Sequence, residues 1–218
     1  WRITRRAKEV WRTGNVISSR HVQESFLDKF EKSVAKFTKR KYAVAVGSGT
    51  DALYFALKAK GIGKGSNVLC PAISYLATAE AIKRTGATII FVDVDKKGLI
   101  SNLPATILPD ALVYVNLFGN VADYGRLRQY CDKHRIPLIE DAAQSLGSYY
   151  GKLPSGNLGD ISSLSFAPSK PLPCFGNGGM VLTNNETYQR YLMQYIDHGH
   201  ENNPNLPRGK DKRVMPGF

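Results

Sequence analysis

Cysteine is scarce in this chain, and the few present do not pair. Cys70, Cys131 and Cys174 are odd in number and show no C-x-x-C spacing. That argues against a disulfide framework or a zinc site and predicts free thiols in a reducing, cytoplasmic compartment. No apolar run is long enough to cross a bilayer and no signal-peptide pattern opens the chain, so no membrane partner is expected. His21, His134, His198 and His200 lack metal-ligand spacing, and His198 and His200 read as loop residues. There is no internal repeat and no low-complexity segment. The first residue is Trp1, so the start is expected to be missing or processed.

Acidic residues are also few, 18 against 30 Lys and Arg, for a formal charge of +12. The imbalance is local. Residues 1–41 carry twelve bases against four acids, residues 208–213 four against one, and the rest is near neutral. A basic patch can attract nucleic acid or an acidic small molecule. Here the excess sits at the ends, without interleaved aromatics or a recognition-helix pattern, so no nucleic-acid partner is expected.

What is present suits one large domain with a substantial core, or one domain plus part of another, at 218 residues. Residues 1–20 read as an irregular basic arm. From residue 21 to 38, Val22, Phe26, Phe30, Val34 and Phe37 recur at helical spacing. Strands are expected at 42–46, 68–70, 88–92, 111–115, 137–139, 161–166 and 180–182, and helices at about 53–60, 74–84, 123–134 and 186–196. Leu127 and Cys131 should face inward, and the tail from 199 has no periodicity. Strands apolar on both faces, alternating with helices, predict an α/β domain with a mainly parallel sheet flanked by helices. Ligands of such sheets bind beyond the carboxyl ends of the strands.

Three polar groups fall at such ends. The stretch NLGDISSLSFAPSKPLPCFGNGGMVLT, residues 157–183, holds Lys170 between two apolar runs in a loop fixed by Pro168, Pro171, Pro173 and several glycines. A lysine so placed can be desolvated and made nucleophilic, although most loop lysines are merely solvated. GSGT, residues 47–50, lies between a strand and a helix and offers backbone amides and a positive helix end to a phosphate. It also matches the weaker dinucleotide fingerprint, but the next strand ends at Cys70-Pro71 with no acid for a ribose, so a nicotinamide enzyme is disfavoured. A plain tight turn stays open.

Asp141 emerges from a buried strand, where an unpaired carboxylate is costly. It pairs either with protein donors or with a cation on a ligand, such as a protonated pyridine nitrogen. Gln144 points the same way if the chain turns into a helix there. Tyr75, at the same sheet edge, could stack on a planar ring, although a place in the core is the commoner explanation for an aromatic. Lysine, carboxylate, phosphate cradle and aromatic together describe one cofactor, pyridoxal 5′-phosphate.

The pieces GSGTDAL, GIGKGSNVLCPAISYLATAEAI, FVDVD, NLFGNVADY, IEDAAQSLGSYYG, GDISSLSF and Lys170 followed by GNGGMVLT run over about residues 20–200. Their order resembles the DegT/DnrJ/EryC1/StrS sugar aminotransferases. The resemblance implies the large domain of a fold-type I pyridoxal phosphate enzyme over 41–200, after an N-terminal arm and amphipathic helix over 1–40. Residues 201–218 would begin the connection to a C-terminal small domain that is missing. It implies that Lys170 is the Schiff-base lysine, that Asp141 partners the pyridine nitrogen, and that Gln144 lies on the ring hydroxyl side. Tyr75 would lie against the ring, and Gly49, Thr50 and Ser165 would bind the phosphate. Relatives typically move an amino group from glutamate, the amino-acid donor, to a keto group of a nucleotide-linked sugar, as homodimers with the site between subunits.

Three departures are visible. Pro171 stands where relatives often have Asn, and Asn177 where an acid is common, which implies altered loop geometry with the chemistry kept. The chain also stops at Phe218, where relatives continue into an Asn-containing motif that reaches the neighbouring subunit's phosphate. It is either a fragment or a shortened protein. Two other functions stay in view: a sugar dehydratase of the same family, disfavoured because those carry His in place of the lysine, and a non-catalytic module of the same fold.

Overall fold

The computed structural model describes residues 25–196, with residues 8, 9 and 12 ahead of them. The first residues of the helix expected from 21, His198, His200 and the tail from 199 lie outside the described residues. Lys8, Glu9 and Arg12 are helical and exposed, where the arm was expected to be irregular; they belong to a run rich in helix formers.

From residue 25 onward the described residues form nine strands, five α-helices and a 3-10 turn at Leu117–Gly119. The helices and strands are α1 (Phe26–Phe37), β1 (Tyr42–Val46), α2 (Gly49–Ala59), β2 (Asn67–Pro71), α3 (Leu76–Arg84), β3 (Thr88–Val92) and β4 (Ala111–Val115). Then come α4 (Tyr124–His134), β5 (Leu138–Asp141), β6 (Tyr149–Tyr150), β7 (Leu153–Pro154), β8 (Ile161–Ser165), β9 (Gly179–Thr183) and α5 (Glu186–Ile196). Seven strands form one sheet in the order β1-β9-β8-β5-β4-β2-β3, and β6 and β7 make a separate hairpin. The five strands from β8 to β3 are parallel; β9 runs antiparallel to both β8 and β1. The sheet is mainly parallel, as expected, and the antiparallel strand is the one that follows the Lys170 loop.

Side chains alternate across each strand, so each face has its own core. Val68, Val113, Ile139, Ile161 and Val181 face Leu53 and Leu57 of α2 and Ile82 of α3. Leu69, Leu112, Tyr114 and Leu138 face Leu127 and Cys131 of α4. Next to that second core, Val34 of α1 closes over Leu164, Phe166, Met180 and Leu182. A fully buried leucine contributes roughly 1.5–3 kcal/mol, and these layers hold the strand ends in register.

Local signals set the helix starts. Ser25 and Asp28 form a reciprocal capping box, each side chain accepting the other's amide at 3.1 Å. That box starts α1 at Phe26, later than apolar spacing alone suggested. Phe30 packs edge-on against Phe166, but Phe37, expected on the same apolar face, is half exposed. The largest difference is in β5, which was expected to end at Ile139 and instead carries Glu140 and Asp141 inside the sheet.

Candidate active site

The carboxyl ends of the parallel strands open into one cleft of about 380 Å³, within the range of small-molecule sites. Gly49, Thr50, Tyr75, Asp141, Gln144, Ser165 and Lys170 all line it. The structure therefore brings together every site residue expected from the sequence, from four separate segments.

At one end stands the first turn of α2. Ser48 caps the helix, its hydroxyl oxygen accepting the Asp51 amide at 3.0 Å and its carbonyl the Ala52 amide at 2.9 Å. The amides of Gly49 and Thr50 are then the ones this helix end has to offer an anion. The backbone approach here is close. A Cβ on Gly49 would lie 2.5 Å from Ser165 Cβ, and one on Gly179 would lie 2.1 Å from the Ser48 carbonyl oxygen. Only glycine permits this contact between α2, β8 and β9, which brings the Ser165 hydroxyl beside the helix end.

Asp141 lies at the opposite, buried part of the cleft, on the same face of β5 as Ile139. The Thr78 hydroxyl donates to its Oδ2 at 2.8 Å and the Ala143 amide to its Oδ1 at 3.1 Å. Burial pushes the carboxyl above its ordinary range; the two hydrogen bonds and the charge of Lys170 pull it back. Asp141 is in no ion pair among the described residues, so its remaining lone pairs can accept from a cation. Nearby Cys70 is pushed up to about 12, first by burial and then by the Asp141 charge, and stays a neutral thiol.

Gln144 reaches the cleft from a succession of turns, not from the helix that was expected. Its Oε1 accepts the amide of Phe118 at 2.9 Å, which leaves its NH₂ as a donor. Phe118 holds that amide in place at φ 55°, a left-handed conformation uncommon for a bulky residue. Lys170 is half-buried, with Nζ 5.5 Å from the centre of the Tyr75 ring. Tyr75 is 69% exposed, which removes the core-aromatic reading left open for it.

On the other face of β5, Glu140 is wholly buried and supports this arrangement. It accepts from Asn116 Nδ2, the hydroxyls of Ser155 and Ser162, and the amides of Gly156 and Leu158, all at 2.8–3.0 Å. Arg40 donates to Ser162 Oγ at 2.9 Å and to the carbonyls of Gly156 and Gly159, so its charge reaches Glu140 through one hydroxyl. Burial lowers the guanidinium from its ordinary value while Glu140 opposes the shift. Sequence reasoning missed this network and missed Thr78. The one usable signal was Ser74 and Thr78 four residues apart at a helix start, where both hydroxyls fall on one face. No metal-holding cluster occurs among the described residues.

The family model of the DegT/DnrJ/EryC1/StrS aminotransferases matches residues 2–214. A UDP-2-acetamido-2-deoxy-3-oxo-D-glucuronate aminotransferase of Pseudomonas aeruginosa is 37% identical over 199 residues, covering 89% of this chain and 54% of the relative. A UDP-N-acetyl-3-dehydro-alpha-D-glucosamine 3-aminotransferase of Acidithiobacillus ferrooxidans is 40% identical over 174 residues, covering 78% and 47%. Among solved structures, NtdA from Bacillus subtilis with bound cofactor PMP superimposes with TM-score 0.86 at 31% identity, covering 99% of this chain and 48% of that one. The chain thus spans about half the length of the relatives it matches.

Proposed function

The chain belongs to the DegT/DnrJ/EryC1/StrS aminotransferase family, and from that premise we propose that it is the cofactor-binding part of a pyridoxal phosphate-dependent sugar aminotransferase. The observation that carries the reading is that Lys170, Asp141 and the α2 end line one cleft. The residues present fit the cofactor on three counts: a buried carboxylate with acceptor capacity to spare, a glycine-enforced anion cradle, and an amine across a cleft of suitable volume. Bound there, pyridoxal phosphate would supply an electron sink for the carbon that loses its proton.

The chain's own groups do the rest. Gly49, Thr50 and Ser165 would bind the phosphate, and Asp141 would hold the ring nitrogen in its cationic form. Gln144 would offer its NH₂ to the ring hydroxyl side, and Tyr75 would lie against the ring. Lys170 Nζ would hold the cofactor, and its amine is the group placed to take and return the proton on which amino transfer depends. The amino donor is an amino acid, glutamate in this reading, and the acceptor is a keto group on a nucleotide-linked sugar, the substrate class that the relatives' names support. The unpaired thiols of Cys70, Cys131 and Cys174 suit a reducing, cytoplasmic location. In this reading the described residues from 41 onward belong to the large domain, with α1 ahead of it.

The working unit is a homodimer with its sites between subunits. Exposed Tyr75 lines the cleft, exposed Ile73, Leu76, Phe118, Leu172 and Phe175 lie on segments beside it, and together they support that reading. The test is spectroscopic and kinetic. Added pyridoxal phosphate should give a visible absorbance band that Lys170→Ala abolishes, and amino transfer should fall by at least about a hundredfold in the variant. A Lys170→Ala protein with normal turnover contradicts the assignment.

A further inference from the structure

We propose that Thr78, backed by Ser74, is a positioning residue that keeps Asp141 an ionised acceptor before any cofactor enters the cleft. The proposal rests on the reading that Asp141 meets a cationic ring nitrogen.

Thr78 is in the first turn of α3 and is almost wholly buried. Its Oγ1 lies 2.8 Å from Asp141 Oδ2 and 2.8 Å from Ser74 Oγ. A hydroxyl has one proton to give. While Asp141 is ionised it can only accept, so the Thr78 proton points at Oδ2 and the Ser74 proton points at Thr78. The whole row then has one direction, from the half-exposed Ser74 inward to the carboxylate. If Asp141 takes a proton on Oδ2, that proton can turn toward Thr78 and the row can reverse. On the other oxygen the Ala143 amide is a donor that cannot reverse.

The surrounding charges do not make Thr78 redundant. Lys170, from the segment after β8, favours the ionised form, and Glu140, on the same strand, disfavours it. Cys70 of β2 is a neutral thiol. Among the influences that oppose burial, the Thr78 hydrogen bond ranks first, ahead of the Ala143 amide and of Lys170. A ring nitrogen that arrives as a cation pairs with the ionised carboxyl, the form this bond favours; a protonated Asp141 would have to lose its proton first.

The test is a carbon-13 NMR titration of the Asp141 carboxyl in cofactor-free protein, the signal being assigned by its loss in Asp141→Asn. Thr78→Val should raise the midpoint by about one pH unit, the roughly tenfold change that a lost hydrogen bond to a charged group produces. Thr78→Ser should return it to that of the unaltered protein. Affinity for pyridoxal phosphate should fall in Thr78→Val at pH values near and below the raised midpoint, by no more than the roughly tenfold that one pH unit allows, recover as the pH is raised, and be restored by Thr78→Ser. Should Thr78→Val not fold, Ser74→Ala carries the test: removing the donor behind Thr78 should raise the midpoint by less, and no rise overturns the proposal. Unshifted titration in a variant that still binds the cofactor as the parent does overturns the role of Thr78 alone. A shifted titration, with no pyridoxal phosphate bound by the unaltered protein, overturns the cofactor reading and this role with it.

Discussion

Glu140 and Asp141 are adjacent acids in one strand, and alternation sends them to opposite faces with opposite work. Glu140 is saturated by protein donors; Asp141 is not. The raised carboxyl of Asp141 has a consequence for stability. The folded, cofactor-free protein keeps the proton above the ordinary value of 3.8, while the unfolded chain has already lost it. In that window the unfolded state binds fewer protons, so Asp141 reduces stability as the pH rises from about 3.8 through its folded value. Asp141→Asn should therefore melt higher than the parent near neutrality, with the gap closing toward acid pH. A gap that is constant with pH in thermal melts contradicts this. Glu140→Ala should instead lower stability at neutral pH by about 3 kcal/mol or more, read as a lower urea midpoint, because Arg40 is left buried without its counter-charge. Lys170 and Asp141 were legible in the sequence because each interrupts an apolar run. Thr78 was not, since a threonine in an amphipathic helix gives no sign of which face meets the sheet.

The strands were readable because burial on both faces makes them near-continuous apolar runs, and all seven expected positions fall within two residues of those observed, six of them within one. Where polar residues enter the sheet, that signal fails. β5 was cut short at Ile139 because two acids inside a parallel sheet contradict the pattern, and only the hydrogen bonds to Glu140 and Asp141 make it tenable. The exposed hairpin of β6 and β7, two residues each, gave no periodicity at all. Gln144 was placed on a helix, yet successive turns from Ala142 to Ser148 carry it, with the left-handed Phe118 opposite. A phenylalanine gives no forewarning of that conformation. The contact of α2 with β8 and β9 yields its own prediction. Gly49→Ala should force Ser165 away, weaken pyridoxal phosphate binding by roughly tenfold or more and leave most of the fold intact. Gly179→Ala meets backbone instead of a side chain and should destabilise the whole protein. Equal cofactor affinity in Gly49→Ala and the parent would argue against the phosphate site.

For the molecule as a whole, six of the thirteen large apolar side chains exposed among the described residues belong to segments at or beside the cleft, with Phe175 at 93% and Phe118 at 79%. A second copy is the occupant we propose for that rim. Leu76→Asp together with Phe118→Asp should weaken self-association at least about tenfold in analytical ultracentrifugation, while the melting temperature changes little, because neither side chain packs in the core. An unchanged dissociation constant would place the interface elsewhere. The basic ends, 1–41 and 208–213, leave the body of the chain near neutral, so no nucleic-acid surface is needed to account for the charge. Everything turns on the amine at the cleft. The most direct measurement is borohydride reduction of the protein with stoichiometric pyridoxal phosphate, followed by peptide mass mapping. The account predicts one reduced adduct, on the peptide that contains Lys170; label spread over surface lysines, with Lys170 unmodified, would contradict it.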